Sequence, residues 1–206
     1  LVFLYGVMMS KFNGVKTNNA KTNAKTEIRL SVLSEIENPK VLEVFCGAGE
    51  MYKNVWHNSE KYTGIDKVKY FDERHTICGD AEKAVRLIDV NDYNIFDIDA
   101  YGSPYEILEY IVDKIDTSNK KIAFVITDGI DMDLRLGRVC TGLRKFIGYD
   151  FHIAKRAHVL HDDFIKIVID KIKDKLKGSV CLFLIAQGTK GSSMRYYSFV
   201  VNRDAV

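Results

Sequence analysis

Two aspartates follow an apolar run in the segment Asp97-Ile-Asp-Ala-Tyr-Gly-Ser-Pro104. A spacing of two residues points both carboxylates to the same side of an extended strand. A carboxylate in such a position accepts a proton or a hydrogen bond from an amine and makes the amine a better nucleophile. The alternative role for Asp99 is to cap the helix predicted from Tyr105, but Ser103 is better placed for that role. We therefore predict that Asp99 takes part in chemistry.

A glycine turn follows a second apolar run, in Val41-Leu-Glu-Val-Phe-Cys-Gly-Ala-Gly-Glu50. The first five residues of this segment have the apolar character of a buried parallel strand. Gly47 and Gly49 allow a tight turn into a helix, whose free N–H groups favour polar ligand atoms. The pattern indicates a nucleotide-type binding site, although glycines also occur in strand-to-helix turns that bind no ligand.

A carboxylate at Asp66 strengthens this interpretation, because it ends a second short strand in Lys61-Tyr-Thr-Gly-Ile-Asp66. An acidic residue about twenty positions beyond the glycine turn holds the ribose diol in nucleotide-binding folds. The third glycine of a dinucleotide motif is replaced by Tyr52, and its bulk disfavours a pyrophosphate at the helix end. The residues therefore favour a cofactor with a nucleoside and no phosphates, such as S-adenosylmethionine, over NAD or FAD.

The chain has 206 residues, 47% of them hydrophobic, and a formal net charge of +2. This composition is typical of one globular domain and excludes a disordered or strongly nucleic-acid-coating protein. The four cysteines are widely spaced and indicate reduced thiols in a cytoplasmic protein. Neither they nor His152, His158 and His161 have partners at metal-site spacing, so no metal is predicted. The apolar start of the chain is too short to span a membrane, and no membrane association is predicted.

Residues 1–26 are predicted to form a flexible basic N-terminal arm, because Lys, Asn and Thr dominate residues 11–25 without an apolar period. The arm is interpreted either as a solvated leader or as a clamp on phosphate groups. Residues 27–206 are predicted to form a single domain. The domain opens with a short helix from Glu27, which the pair Asn38-Pro39 ends.

Strands and helices alternate along this domain. The predicted strands are Val41–Phe45, Tyr62–Ile65, Thr76–Cys78, Ile95–Ile98, Ile122–Thr127, Val180–Ala186 and Tyr196–Val201. The predicted helices are Met51–His57, Ala81–Ile88, Tyr105–Ile115, Leu136–Phe146 and Asp163–Leu176. The last two strands are too close in sequence for a crossover helix and must run antiparallel. We therefore predict a doubly wound, Rossmann-like α/β fold with a seven-stranded, mostly parallel sheet and an antiparallel terminal strand.

Three segments resemble the catalytic domain of the tRNA guanine-N2 dimethyltransferases, which are class I S-adenosylmethionine-dependent methyltransferases. Asp97–Pro104 is similar to that family's D-x-D-P-F-G-S-P motif, with Ala100 in place of the first proline. Val125-Ile-Thr-Asp-Gly129 resembles a T-x-T-D-G element, and Cys140-Thr-Gly-Leu-Arg-Lys-Phe146 resembles a cysteine followed by a Leu-Arg-Lys-aromatic segment. The resemblance covers roughly Glu27 to Asn202 and implies the class I methyltransferase fold, with its antiparallel closing strand.

The resemblance also implies which residues bind S-adenosylmethionine. Gly47 and Gly49 are expected to face the methionine part of the cofactor. Asp66 is expected to hold the ribose and Asp80 to contact the adenine. Arg29 corresponds to a family arginine near the cofactor. The remaining expected cofactor contacts are Glu43, Phe45, Ala48, Lys67, Ala81 and Asp97.

Asp99 and Tyr101 are the expected catalytic residues. The resemblance makes Asp99 the acceptor for an N–H group of the target amine. Tyr101 is expected either to stack on the target base or to pack under the edge of the sheet. The implied reaction is methyl transfer to the exocyclic amine of a nucleic-acid base in RNA, with tRNA as the expected substrate.

Other functions remain open at the level of the sequence. The family's C-terminal RNA-binding domain has no counterpart in the chain, so a protein partner is a candidate to replace it. One alternative is methylation of a protein or a small molecule. Another is a catalytically inactive binding module with a nucleotide fold. A nicotinamide-dependent oxidoreductase is disfavoured by Tyr52 and by the closing pair of strands.

Overall fold

The computed structural model describes residues 19–116, 119–148, 157–187 and 194–203. Within these ranges the β-strands are β1 (Lys40–Val44), β2 (Lys61–Asp66), β3 (Thr76–Cys78), β4 (Ile95–Asp99), β5 (Lys121–Asp128), β6 (Ser179–Gln187) and β7 (Arg195–Asn202). Each strand lies within one residue of the bounds expected from the sequence. Apolar runs define these strands well because a central strand of a mostly parallel sheet is buried on both faces.

The strands form one sheet in the order β3-β2-β1-β4-β5-β7-β6. The five strands β1 to β5 pair in parallel, whereas β7 runs antiparallel to both β5 and β6. The predicted α/β sheet with an antiparallel terminal strand is thereby confirmed. The carboxyl ends of β1, β2 and β4 meet at one edge of the sheet, which is where doubly wound folds bind their ligands.

The helices in the described ranges cover both faces of the sheet. They are α1 (Asn19–Leu33), α2 (Glu50–Asn54), α3 (Ala81–Val85), α4 (Tyr105–Lys114), α5 (Asp131–Arg135), α6 (Thr141–Ile147) and α7 (His161–Leu176). Short 3₁₀ turns occur at Trp56–Asn58, Val90–Asp92 and Ala157–Leu160. None of the helices in these ranges combines the length and the apolar character needed to cross a lipid bilayer.

Alternation of side chains along the strands divides the core into two layers. Leu42 and Phe96 belong to the larger apolar cluster, which includes residues of α3, α4, α6 and α7. Val41 and Ile95, their neighbours in sequence, belong to the smaller cluster on the other face. That second cluster is closed by α1, α2 and the fully buried Trp56. The layer under α1 and α2 is the one that supports the glycine turn.

Helix α1 corrects the prediction of a flexible arm followed by a domain from residue 27. The helix begins at Asn19 and crosses the predicted boundary, while residues 1–18 lie outside the described part of the chain. Ala24, Ile28 and Val32 are all buried, and their spacing of four residues places them on one face of the helix. The apolar period was expected to begin at Ile28, because a single small alanine carries little hydrophobic signal.

The predicted helix Leu136–Phe146 is wrong in its first half, because α5 ends at Arg135 and the next helix, α6, begins only at Thr141. Gly137 ends α5 with a positive φ of 74°, a left-handed conformation that glycine adopts without strain. The apolar residues on either side of Gly137 gave the appearance of one continuous helical period. His152, one of the three histidines considered above, lies outside the described residues.

Candidate active site

A cavity of about 680 Å³ opens at the carboxyl ends of β1, β2 and β4. Its volume falls in the usual range for a small-molecule or cofactor site, roughly 300–1,000 Å³. The predicted site residues that line it are Glu43, Phe45, Gly47, Ala48, Asp66, Lys67, Asp99 and Tyr101. The glycine turn and the acidic motif at the end of β4 therefore share one cavity.

The glycine turn is tied to the end of β2 through Asp66. The backbone N–H of Gly47 donates to Oδ2 of Asp66 at 2.9 Å, and the N–H of Val68 donates to Oδ1 at 2.9 Å. Phe45 and Gly47 both have positive φ angles, 66° and 48°, which turn the backbone so that the Gly47 amide reaches the carboxylate. These two hydrogen bonds orient the Asp66 carboxylate and leave it further positions to accept from a ligand.

Gly49 is required for close packing rather than for an open approach to the cavity. A Cβ atom built on Gly49 comes within 2.6 Å of Cζ of Arg74, and the φ of Gly49 is +79°. Arg74 donates to the carbonyl oxygen of Gly47 at 3.1 Å and pairs with Asp72 at 2.7 Å. Gly49 is not among the residues that line the cavity, and its contact with the cofactor stays a prediction. Arg74 was not predicted as a site residue, because nothing in the local sequence links it to a turn so far upstream.

Asp97 and Arg29 form an ion pair inside the protein instead of lining the cavity. The Nε and Nη2 atoms of Arg29 donate to the two carboxylate oxygens of Asp97 at 2.6 Å each. The indole N–H of Trp56 adds a third hydrogen bond to Asp97 at 2.8 Å. Both charged side chains have 0% exposure, so the expectation that they contact the cofactor is corrected. They join α1 to β4 and thereby hold the wall of the cavity.

Asp99 lies two residues further along β4 and faces the cavity. The ammonium group of Lys25 donates to its two carboxylate oxygens at 2.6 and 2.7 Å. Burial opposes ionisation of Asp99, but the positive charges of Arg29 and Lys25 outweigh burial and lower the pKa of this carboxyl group. Asp99 is therefore an ionised hydrogen-bond acceptor in the cavity. It does not cap α4, because its partner is Lys25 and Ser103 accepts from the N–H of Tyr105.

Glu43 is a buried carboxyl group in the wall of the same cavity, with 1% exposure. It accepts a hydrogen bond from the hydroxyl group of Tyr62. Burial, reinforced by the negative charge of Asp97, raises the pKa of Glu43 to about 8. The carboxyl group therefore holds its proton at neutral pH and ionises when a cation is placed against it.

Tyr101 is almost fully accessible, with 94% exposure, at the mouth of the cavity. Of its two expected roles, packing under the sheet edge is excluded, and stacking on a substrate stays a prediction. Asp80 caps α3 by accepting from the backbone N–H of Lys83, and Ala81 is buried at the start of that helix. Both lie outside the cavity lining, and the contact of Asp80 with an adenine and that of Ala81 with the cofactor remain predictions.

Three residues at the cavity carry no signal in the local sequence. Lys25 and Thr22 come from α1, in a stretch that was interpreted as a flexible arm. Tyr196 comes from β7, and the Lys25 ammonium lies 5.4 Å from the centre of its ring. The strand order explains its place. Thr127 of β5 lies beside Asp99 of β4 on one side and beside Tyr196 of β7 on the other. No local motif marks such a residue.

No protein-family model and no curated protein sequence matches the chain. Several solved structures do resemble it. Trm1 from Pyrococcus horikoshii, solved with S-adenosyl-L-methionine, superposes with a TM-score of 0.58 at 15% identity over 97% of this chain, and the chain spans 59% of the length of that protein. The N-methyltransferase NodS from Bradyrhizobium japonicum WM9 gives 0.54 at 12% identity, covering 92% of this chain and 100% of NodS.

A third structure is the magnesium protoporphyrin IX methyltransferase ChlM from Synechocystis PCC 6803, solved with bound SAH. Its TM-score is 0.50 at 12% identity, covering 93% of this chain and 90% of ChlM. Identities this low carry no information about substrates, whereas superposition over nearly the whole chain concerns the backbone. The chain thus has the α/β fold of Trm1, NodS and ChlM.

Proposed function

We propose that the chain is an S-adenosylmethionine-dependent methyltransferase that acts on the exocyclic amine of a nucleic-acid base. The proposed substrate is RNA, of the tRNA guanine-N2 type, in the cytoplasm. One observation carries the proposal: the ionised carboxylate of Asp99 and the ribose-type carboxylate of Asp66 face a single cavity beside the glycine turn. A nucleoside-containing cofactor and an amine acceptor therefore have adjacent places.

The residues around the cavity fit S-adenosylmethionine. The Asp66 carboxylate, fixed by two backbone N–H groups, suits a ribose diol. Glu43 is a carboxyl group that becomes anionic beside the cofactor's cationic methionine end. Tyr52 packs on Tyr62 with ring centroids 4.7 Å apart and so occupies space next to the helix start, which suits a cofactor without a pyrophosphate. Bound there, S-adenosylmethionine supplies a methyl group that its sulfonium charge already activates.

The remaining work for the protein is alignment, since an activated methyl group needs an in-line nucleophile at about 3–3.5 Å. Asp99 accepts an N–H of the target amine and directs the nitrogen lone pair towards the methyl group. Tyr101 offers an exposed ring on which a base can stack. The buried pair of Arg29 and Asp97 fixes β4 against α1 so that Asp99 keeps its orientation.

Binding of the RNA calls for more surface than this cavity provides. The basic residues of the predicted N-terminal arm are one candidate for phosphate contacts, and a protein partner is another. Phosphate contacts release counterions, so RNA affinity is expected to fall steeply as salt increases.

The cofactor assignment predicts that S-adenosylmethionine and S-adenosylhomocysteine bind and that NAD does not. Replacing Asp66 with alanine is expected to weaken binding of both by about 1.5–3 kcal/mol, the usual value of hydrogen bonds to a charged group. Calorimetric titration of wild-type protein and the variant with all three compounds measures this directly. Asp163→Ala, on the exposed side of α7, is the matched control and should bind like wild type. Tighter binding of NAD than of S-adenosylmethionine refutes the assignment.

The raised pKa of Glu43 predicts how stability depends on pH. The folded protein holds a proton on Glu43 up to about pH 8. The unfolded chain releases this proton at about pH 4.3, the reference pKa of a glutamate side chain. The folded state thus binds more protons between these limits, and its stability must fall as pH rises. The slope from this group is at most about 1.4 kcal/mol per pH unit.

Glu43→Gln removes the titrating group and keeps an acceptor for Tyr62. Urea denaturation of cofactor-free wild type and variant, at about five pH values between 5.5 and 7.5, gives the free energy of unfolding of each protein. The free energy of unfolding of wild type should decline more steeply with pH than that of the variant. Equal slopes show that Glu43 is ionised in the folded protein and contradict the prediction.

A further inference from the structure

Lys25 is placed directly against the carboxylate of Asp99. It lies on α1 one turn before Arg29, and its ammonium group contacts both oxygens of Asp99 at 2.6 and 2.7 Å. The side chains of Lys25 and Asp99 are 20% and 18% exposed, and both line the cavity. The ion pair is therefore a part of the site that a substrate can touch.

This ion pair leaves Asp99 able to accept from a substrate. An ionised carboxylate has about four positions for hydrogen bonds, two on each oxygen. Lys25 uses one position on each oxygen, and Thr127 contributes a further hydroxyl group. The remaining positions can accept an N–H group of a substrate amine without displacing the lysine.

The charges around Asp99 make it a weak base. The positively charged groups that face it are Lys25 and Arg29 on α1. The acidic and phenolic groups that face it are Glu43, Asp97 and Tyr196 on the strands. Burial opposes ionisation of Asp99, but the two cations prevail and the pKa of its carboxyl group is lowered. A carboxylate of this kind accepts hydrogen bonds well and takes up a proton only from a strong acid.

We infer that Lys25 is a positioning residue that occupies the cation position beside Asp99 and leaves the carboxylate to accept from an amine that is already neutral, and so favours the exocyclic amine of a base over an aliphatic ammonium group. The inference rests on the proposed function and names the feature that sets its substrate class. Lys25 acts through Asp99, by holding the carboxylate ionised and oriented.

The chemistry of the two amine classes explains the selection. The neutral nitrogen of a base amine attacks the methyl carbon of the sulfonium donor. The new N–C bond forms as the C–S bond breaks, and the electron pair of that bond stays on sulfur. The methylated nitrogen carries a positive charge, is a strong acid, and gives its proton to Asp99 and then to water. A weak base is sufficient for this order of events.

An aliphatic ammonium group must instead lose its proton before it can attack. Its pKa is about 10.4 in water, far above that of Asp99, so the carboxylate cannot remove the proton. Such a group forms a stable ion pair with Asp99, which is the arrangement that Lys25 itself shows. The site therefore holds aliphatic ammonium groups in an unreactive form.

The test compares Lys25→Met, which removes the charge, with Lys25→Arg, which keeps it. Carbon-13 NMR of aspartate-labelled, cofactor-free protein follows the Asp99 carboxyl group, assigned by its loss in Asp99→Asn. An opposite charge within about 4–6 Å shifts a pKa by roughly 1–3 units. Because Arg29 stays in place, Lys25→Met is expected to raise the pKa of Asp99 by about 1 unit, at the lower end of that range, and Lys25→Arg to restore it. Lys166→Met, an exposed lysine on α7, is the control and should leave it unchanged.

Methyl transfer supplies the second readout. The acid limb of the kcat/KM profile with RNA should move to higher pH in Lys25→Met and return in Lys25→Arg. Wild-type protein should label RNA and leave a lysine-rich peptide unlabelled. Intact-mass analysis after incubation with S-adenosylmethionine should find Lys25 unmethylated. Where Lys25→Met does not fold, Lys25→Gln serves as the second neutral variant in both experiments.

Several outcomes overturn the inference. An unchanged pKa of Asp99 in the neutral variants shows that Lys25 does not control the carboxylate. Efficient methylation of the peptide, or of Lys25 itself, shows that aliphatic amines are not excluded. If wild-type protein binds S-adenosylmethionine but labels no RNA, the proposed function is refuted. The NMR titration still reports the effect of Lys25 on Asp99 in that case, so the two failures are distinguishable.

Discussion

Replacing Asp99 with asparagine is expected to lower the rate of methyl transfer by about 10²–10⁴-fold, the usual contribution of a general acid–base group. The amide keeps the shape of the carboxylate but is a poor proton acceptor. Its NH₂ group also faces the ammonium of Lys25, which lies 2.6 Å from the carboxylate in the wild-type protein. The cofactor affinity should stay nearly unchanged, because Asp66 and the glycine turn are intact.

Single-turnover transfer of tritiated methyl groups measures the rate in this variant, and calorimetry measures its cofactor affinity. Asp163→Asn on the exposed side of α7 provides a matched carboxylate-to-amide control. Full activity of Asp99→Asn contradicts the assignment and reduces Asp99 to a structural partner of Lys25. A parallel loss of cofactor binding indicates instead that the change has disturbed the whole cavity.

Replacing Arg29 with methionine is expected to destabilise the folded protein by about 3–5 kcal/mol. This is the usual cost of removing one partner of a buried ion pair, because the other charge is left buried and uncompensated. The Asp97 carboxylate has 0% exposure and retains only the hydrogen bond from Trp56. The loss is large compared with the marginal stability of a domain of this size.

The double variant Arg29→Met, Asp97→Asn distinguishes loss of the charge pair from loss of packing. With both charges removed, about half of the lost stability should return, since the remaining polar group is neutral. Urea denaturation of the two single variants and the double variant measures the free energies of unfolding. If Arg29→Met is as stable as wild type, the pair does not hold α1 to β4 in solution.

The sequence predicted the sheet well because its signals are local. Each central strand is a short apolar run such as Val41–Phe45, bounded by turn residues. The short loop between the last two strands forces an antiparallel pair, which fixes the end of the topology. The positions of Asp66 and Asp99 followed for the same reason, since both residues end strands whose carboxyl ends meet at one edge.

The partners of the charged residues could not be predicted in this way. Arg29 was expected near the cofactor, yet it binds Asp97, and the pairing depends on how α1 crosses the sheet. Lys25 lies in a polar stretch whose helical face is marked only by Ala24 and the apolar residues after it. Contacts between elements distant in sequence depend on packing, which neither composition nor periodicity records.

The central claim is most directly tested by transfer of tritiated methyl groups from S-adenosylmethionine into RNA, DNA, protein and small-molecule fractions. Digestion of the labelled fraction to nucleosides then identifies the modified base by mass spectrometry. Label is expected in RNA, on the exocyclic amine of a base, and no label is expected with Asp99→Asn. Label confined to protein or small molecules, or no label at all from protein that binds the cofactor, contradicts it.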